Sequence, residues 1–230
     1  MFDPIRSSQV AQRRSLKPHL VPGCPAWSND LDEHNALAGA DSTRELIATL
    51  VVRFRSAMPN ESIVRDFHRQ LFRSTVPLAY YAGNFRQQDF RRPCLAQNVR
   101  VGSVLGKPFQ EVLSSIDSLF AQITVALRSF EKSWNDLSVS DRAARFATLV
   151  GIAVGEFIRI HPFLNGNGRT SRFIWEGLFY RLGLPPQYAV IRRPGAPYDQ
   201  VMGQAMLGNF GPIIAVVLQA TAALPLSRPI

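Results

Sequence analysis

Apolar residues recur at three- and four-residue spacing over most of this chain, and that period predicts helices. From Ser28 to Ala57 the pattern sets Leu46, Ile47, Leu50, Val51 and Phe54 on one face, with Asp41-Ser-Thr-Arg-Glu45 reading as a helix start. A second helix is expected from about Glu61 to Arg73, with Ile63, Val64, Phe67, Leu71 and Phe72 turned inward. Phe109 to Lys132 reads as a third. Asp141 to Ile160 is apolar nearly all round, which implies a central, buried helix. Another begins near Asn167 and ends at Gly183, before Pro185 and Pro186. A last helical region covers about Tyr198 to Leu224.

Two stretches break the period. Residues 1 to 27 carry Pro4, Pro18, Pro22, Gly23 and Pro25 and read as an arm. Residues 74 to 108 carry Gly83, Pro93, Gly102, Gly106 and Pro108, with a β-like piece at Asn98 to Val101, and read as a loop holding a small hairpin. The fold class is therefore all-α, a helical bundle with one short β-hairpin flap. With 230 residues and 46% hydrophobic content, the chain can build one domain with a sizeable core.

Composition narrows the functional classes. The formal net charge of +9 attracts polyanions, and it is carried mostly by arginine, which suits bidentate phosphate contacts. No helix-turn-helix or zinc spacing accompanies the charge, so nucleic acid is not an expected partner. No run of 18 apolar residues suggests a membrane span. The first twenty residues lack the apolar core of a secretory signal. Cys24 and Cys94, far apart in sequence, read as free thiols in a reducing compartment. The expected location is the cytoplasm, with delivery into another cell by a dedicated secretion system left open.

The densest chemistry is HPFLNGNGRTSR, residues 161 to 172, placed where the central helix stops. Gly166 and Gly168 remove two Cβ atoms at a helix N-terminus, where outward N–H groups and the helix dipole favour an anion. Arg169 and Arg172 are three apart and share one face. Asn167 could fix the loop or donate to a phosphate oxygen. His161, at the end of the preceding helix, could take a proton from an attacking hydroxyl. Phe163 is expected to anchor the loop in the core. Each feature alone is ordinary; together they make a base beside a polyphosphate grip.

This stretch resembles the signature loop of the Fic family, His-Pro-Phe-x-acidic-Gly-Asn-Gly-Arg-x-x-Arg, at every specified position but 165. FHRQLF at 67 to 72, AGNFR at 82 to 86, the β element near 98 to 106 and LGLPP at 182 to 186 fit the same family. The resemblance implies a Fic domain over 39–224, preceded by an arm over 1–38 and followed by a tail over 225–230. It implies transfer of AMP from ATP, with Mg²⁺ or Mn²⁺, to a Ser, Thr or Tyr hydroxyl of a protein. By matching position, His161 would be the base. Gly166, Asn167 and Gly168 would form the anion hole, and Arg169 and Arg172 would hold the β- and γ-phosphates. Val99, Arg100, Val101, Gly102, Ser103 and Val104 would align the target segment by strand addition. The Gly168–Arg169 pair resembles the adenylylating branch rather than a variant associated with phosphoryl transfer.

The departure is Asn165, where the family usually carries a carboxylate that binds Mg²⁺, a hard cation. The resemblance thus leaves open an enzyme with another donor, or a weakened regulatory protein that binds nucleotide or a partner. An inhibitory segment in such proteins carries a Glu that pairs with the second loop arginine. Here SNDLDEHNAL at 28 to 37 offers Glu33 in a degenerate form, and an antitoxin-like inhibitor chain is the other expected partner. His68 reads as packing or a flap contact. Glu156 orients the loop or lies at the surface. Arg86, Arg91, Arg92 and Arg100 read as a solvated basic loop or as a basic patch facing an acidic target.

Overall fold

A computed structural model describes residues 21–27, 33–183 and 198–222, with backbone alone at 33–41, 198–199 and 222. The first twenty residues of the arm, the Pro185–Pro186 stop and the 225–230 tail lie outside the described residues.

The helices are α1 (Glu33–Leu50), α2 (Arg53–Ser56), α3 (Glu61–Phe72), α4 (Val112–Ser133), α5 (Val139–Ile160), α6 (Asn167–Arg181), α7 (Tyr198–Met206) and α8 (Gly211–Ala222). The hairpin pairs β1 (Arg100–Val101) with β2 (Val104–Leu105), antiparallel, with Arg100 opposite Leu105 and Val101 opposite Val104. Among the described residues these are the strands present, and the all-α reading with a small flap holds. No helix among them is long and apolar enough to cross a membrane.

Local chemistry sets the helix boundaries. Asn60 caps α3 by accepting from Ile63 N–H at 3.1 Å, and Ser138 caps α5 by accepting from Asp141 N–H at 3.1 Å. Several boundaries differ from the sequence pattern, among them the break at Val51 and Val52 that parts the Ser28–Ala57 pattern into α1 and α2. Asp41 to Glu45 starts no helix; it lies inside α1, which already runs from Glu33. The last helical region is two helices, parted at Leu207 to Phe210, because Val201 and Met202 of α7 and Ile213 and Val217 of α8 must each face the core.

α5 is the axis of the molecule. It packs against α4, α6, α7 and α8, which is why its sequence is apolar on nearly every side. Phe146, Val150, Val154, Phe157 and Ile160 are buried there with Ile174 and Trp175 of α6. Burying one such aromatic or aliphatic side chain contributes about 1.5–3 kcal/mol. A second cluster joins α1, α2 and α3 to α6 through Ile47, Phe54, Phe67 and Phe173. The first core holds α5 and α6 together, and the second holds α6 against α1, α2 and α3.

A third, smaller cluster corrects the cysteine reading. Cys24 and Cys94 are joined by a disulfide across 70 residues, with Cα atoms 5.5 Å apart. They are not free thiols. The 74–95 segment folds back to bury Tyr81 and Leu95, and this carries Cys94 beneath the arm. The Tyr81 hydroxyl donates to Pro25 O at 3.2 Å, tying the same two segments. Leu164 of the signature loop packs into this cluster as well.

Candidate active site

The loop begins where α5 is forced to stop. His161 has φ 54° and ψ 59°, the one non-glycine in the left-handed region among the described residues. Such a backbone costs an ordinary residue roughly 1 kcal/mol or more and persists only when its surroundings impose it. Arg86 imposes it. Its guanidinium is fully buried and donates to His161 O at 2.8 Å, Ile160 O at 3.0 Å, Lys107 O at 2.8 Å and Gln97 O at 3.0 Å. Two of these are the last carbonyls of α5, where a cation also meets the negative end of the helix dipole. Arg86 is therefore an internal cap, not part of a basic patch facing a target. Burial lowers its pKa to about 10, and it stays charged at neutral pH.

The His161 ring is held in one tautomer. Its Nδ1 faces Ile158 O at 3.2 Å. A carbonyl only accepts, so Nδ1 carries the proton and Nε2 keeps a lone pair. Burial, the largest influence, lowers the imidazole pKa to about 4; the bond to Ile158 O opposes this and the Arg86 charge adds to it. The ring is neutral at physiological pH. Gly106, at the foot of the flap, comes so close that a Cβ there would stand 2.7 Å from His161 Cβ. Lys107 N–H donates to Ile160 O at 3.2 Å, so the flap is rooted on the end of α5.

Phe163 is fully buried, as expected of an anchor. It stacks on the His68 ring with centroids 3.6 Å apart and 9° between planes. Asn167 closes the loop on itself: its Oδ1 accepts from Phe163 N–H at 3.0 Å, and its Nδ2 donates to Phe163 O at 2.9 Å. With both amide ends so used and only 2% of its surface exposed, Asn167 fixes the loop. Gly166 has φ 77°, and a Cβ there would collide with the Phe72 ring. This close approach of backbone to α3 brings the start of α6 into place.

His68 does more than pack. Gly83 N–H donates to its Nδ1 at 2.9 Å, so the proton sits on Nε2, which donates to Asn165 O at 3.0 Å. Burial, first of the causes, holds its pKa down at about 3. The FHRQLF and AGNFR segments meet at this bond, and their spacing with the loop was the signal available in the sequence. Glu156 receives both Arg159 Nε and Nη2 at 2.8 Å in an ion pair on α5.

At the start of α6, a Cβ on Gly168 would meet none of the described atoms within 4 Å. Arg169 lies over the Phe72 ring at 4.4 Å, and Arg172 follows one turn along α6. Asn165 is turned to other work. Its Nδ2 donates to Trp27 O at 2.9 Å and its Oδ1 accepts from Gly166 N–H at 2.6 Å. A neutral oxygen already accepting from the backbone is a poor ligand for a hard divalent cation, so the residues present do not fit a cation held by this side chain. Among the described residues no group of three His, Cys, Asp or Glu could hold a metal. In the flap, Val101, Gly102 and Ser103 are exposed, while Val99, Arg100 and Val104 are half-buried. The Glu33 side chain, and with it the expected pairing with Arg172, lies outside the described residues.

Comparison with known proteins agrees with this geometry. The family model for the Fic/DOC family matches residues 59–178. The protein adenylyltransferase Fic of Drosophila erecta is 25% identical over 214 residues, covering 92% of this chain and 37% of its own length. That of Drosophila willistoni is 26% identical, covering 92% and 36%. The chain thus spans about a third of the length of these curated relatives, at 37% and 36%. Among solved structures, the BepC effector protein of Bartonella tribocorum with bound AMPPNP superposes with TM-score 0.55 at 19% identity, covering 92% of this chain and 96% of that one. The N-terminal Fic domain of a Bep effector protein from Bartonella quintana with bound ADP gives 0.56 at 20% identity, covering 87% and 92%. These likenesses establish a shared fold. With more than half of its residues matched by the family model, and with the His161–Arg172 loop set between α5 and α6, the chain belongs to the Fic/DOC family.

Proposed function

We propose that this protein is an adenylyltransferase that moves AMP from ATP onto a Ser, Thr or Tyr hydroxyl of a target protein. One observation carries the reading: a neutral His161, its Nδ1–H spent on Ile158 O, stands one short loop before a helix N-terminus bearing two arginines. In the reaction the target oxygen attacks the α-phosphorus. The bond to the bridging oxygen breaks and pyrophosphate leaves, while His161 Nε2 takes the hydroxyl proton. The first turn of α6, with Gly168 and the arginines, grips the phosphates and stabilises the charge that develops on them. Asn167 acts on that grip by holding the loop. The exposed edge of the flap offers backbone groups to the target chain near Val101.

ATP binds as donor substrate, and any Mg²⁺ or Mn²⁺ is expected to enter with the nucleotide. The target protein is the principal partner, and an antitoxin-like chain remains a proposed inhibitor. Placement in the cytoplasm, or in another cell after delivery, is likewise proposed; the disulfide favours passage through an oxidising environment. A second reading, a nucleotide-binding regulator without transfer, draws on the occupied Asn165 amide.

The experiment is to incubate wild type and His161→Ala with ATP labelled at the α-phosphate and a bacterial lysate, then count label on protein bands. Label with wild type alone supports transfer. Equal label with both overturns the role of His161. No label with either, while ATP still binds, overturns AMP transfer in favour of another donor or the regulatory reading.

A further inference from the structure

We infer that Asn165 and Trp27 are positioning residues, and that the Cys24–Cys94 disulfide uses them to hold the signature loop in its nucleotide-gripping form. The arm is tied first to the 81–94 segment and then to the loop and its supports. The disulfide fixes Cys24 to the turn at Cys94. The Tyr81 hydroxyl holds Pro25 O. Trp27 then lays its ring edge-on to His68 and Phe72, at centroid distances of 5.8 and 5.2 Å. Those are the two α3 side chains that support Asn165 O and Gly166. The main-chain oxygen of Trp27 accepts from Asn165 Nδ2 at 2.9 Å. Leu164, the intervening loop residue, packs into the same cluster as Cys24, Trp27 and Cys94.

This accounts for the residue type at 165. The contact needs an N–H facing a carbonyl oxygen, and an amide supplies it. A carboxylate at 165 would set negative charge against that oxygen and lose the bond. The loop that would otherwise carry a metal ligand here carries a latch for the arm.

Because the latch ends in a disulfide, it responds to redox state. A dithiol reductant attacks the S–S bond, gives up two electrons and two protons, and closes to its own disulfide, leaving Cys24 and Cys94 as thiols. The arm then no longer has a covalent tether. Trp27 leaves His68 and Asn165 for a larger fraction of the time, and the loop from Leu164 to Gly166 loosens.

The test compares amide hydrogen exchange of the peptide covering 161–168 in oxidised and dithiothreitol-reduced wild type, and in Asn165→Asp and Cys24→Ser/Cys94→Ser variants. Exchange should rise on reduction of wild type. It should already be high in both variants, and the double variant should not respond to reductant. ATP affinity, measured on the same samples, should fall by about fivefold on reduction, the loss of roughly one hydrogen bond. It should fall, not rise, in Asn165→Asp. Equal exchange in oxidised and reduced wild type would overturn the proposal, as would two free thiols after incubation with oxidised glutathione. The affinity measurement rests on the transferase reading. The exchange measurement does not, so absence of ATP binding in every sample would sink that reading and leave the latch standing.

Discussion

The signature loop and the flap lie side by side on the end of α5, yet they are built in opposite ways. From His161 to Asn167 the main chain is held by buried side chains: Arg86 on the carbonyls of 160 and 161, Asn167 on both polar groups of Phe163, His68 on the carbonyl of 165. The flap is two residues against two, with Val101 42% exposed at its turn. It is anchored at its foot, where Gly106 and Lys107 meet α5, and is open at its tip. The proposed base, which would take a proton, needs its position fixed to a fraction of an ångström. The flap, proposed to receive a target segment, would need open edge groups instead.

Substitutions on the two sides should separate this contrast. The largest expected effect is that of His161→Ala, a loss of label transfer of at least about 100-fold with ATP binding retained. Residual transfer near the wild-type rate would mean that the base lies elsewhere. Arg86→Ala should cost about 3 kcal/mol or more in urea unfolding, because four carbonyls lose a buried donor. Arg86→Lys should recover only part, since an ammonium cannot reproduce the planar fork. His68→Phe keeps the stack on Phe163 and removes both hydrogen bonds, for an expected loss of about 2 kcal/mol. A neutral result there would show that stacking alone orders the loop.

Acid should act on the same clamp. His161 and His68 titrate at about 4 and about 3 in the folded chain, against an ordinary 6.5. Below pH 6.5 the unfolded chain binds protons that the folded chain refuses. Stability is therefore full above that pH and falls towards pH 3–4, by about 1.4 kcal/mol per pH unit for each histidine. His68→Phe should remove one histidine's share of that slope, as read by denaturant titration at several pH values. The smallest effect belongs to the flap. Val101→Ala should leave stability within about 0.5 kcal/mol and ATP affinity unchanged, while target labelling falls. A matching fall in ATP affinity would show that the flap is part of the nucleotide grip.

Much of this was legible before any coordinates. The 3.6-residue period gives α3 to α6, because a helix facing a core must repeat its apolar face. The chemistry of the loop is legible because its parts are contiguous, from His161 to Arg172. What was hidden depends on residues distant in sequence. Arg86 reads as a surface charge in a basic stretch, and only the return of the chain beneath α5 makes it a buried cap. Cys24 and Cys94 are separated by 70 residues with no spacing to connect them.

Asn165 marks the boundary most sharply. The sequence by itself determined that an amide replaces a carboxylate in an otherwise matching loop. It also determined the helices and the order in which His161, the glycines and the arginines follow one another, since those rest on local period and neighbouring residue types. Only the tertiary structure decided what the amide faces. Hydrogen-bond partners are selected by proximity in space, and Trp27 reaches Asn165 across 138 positions of chain.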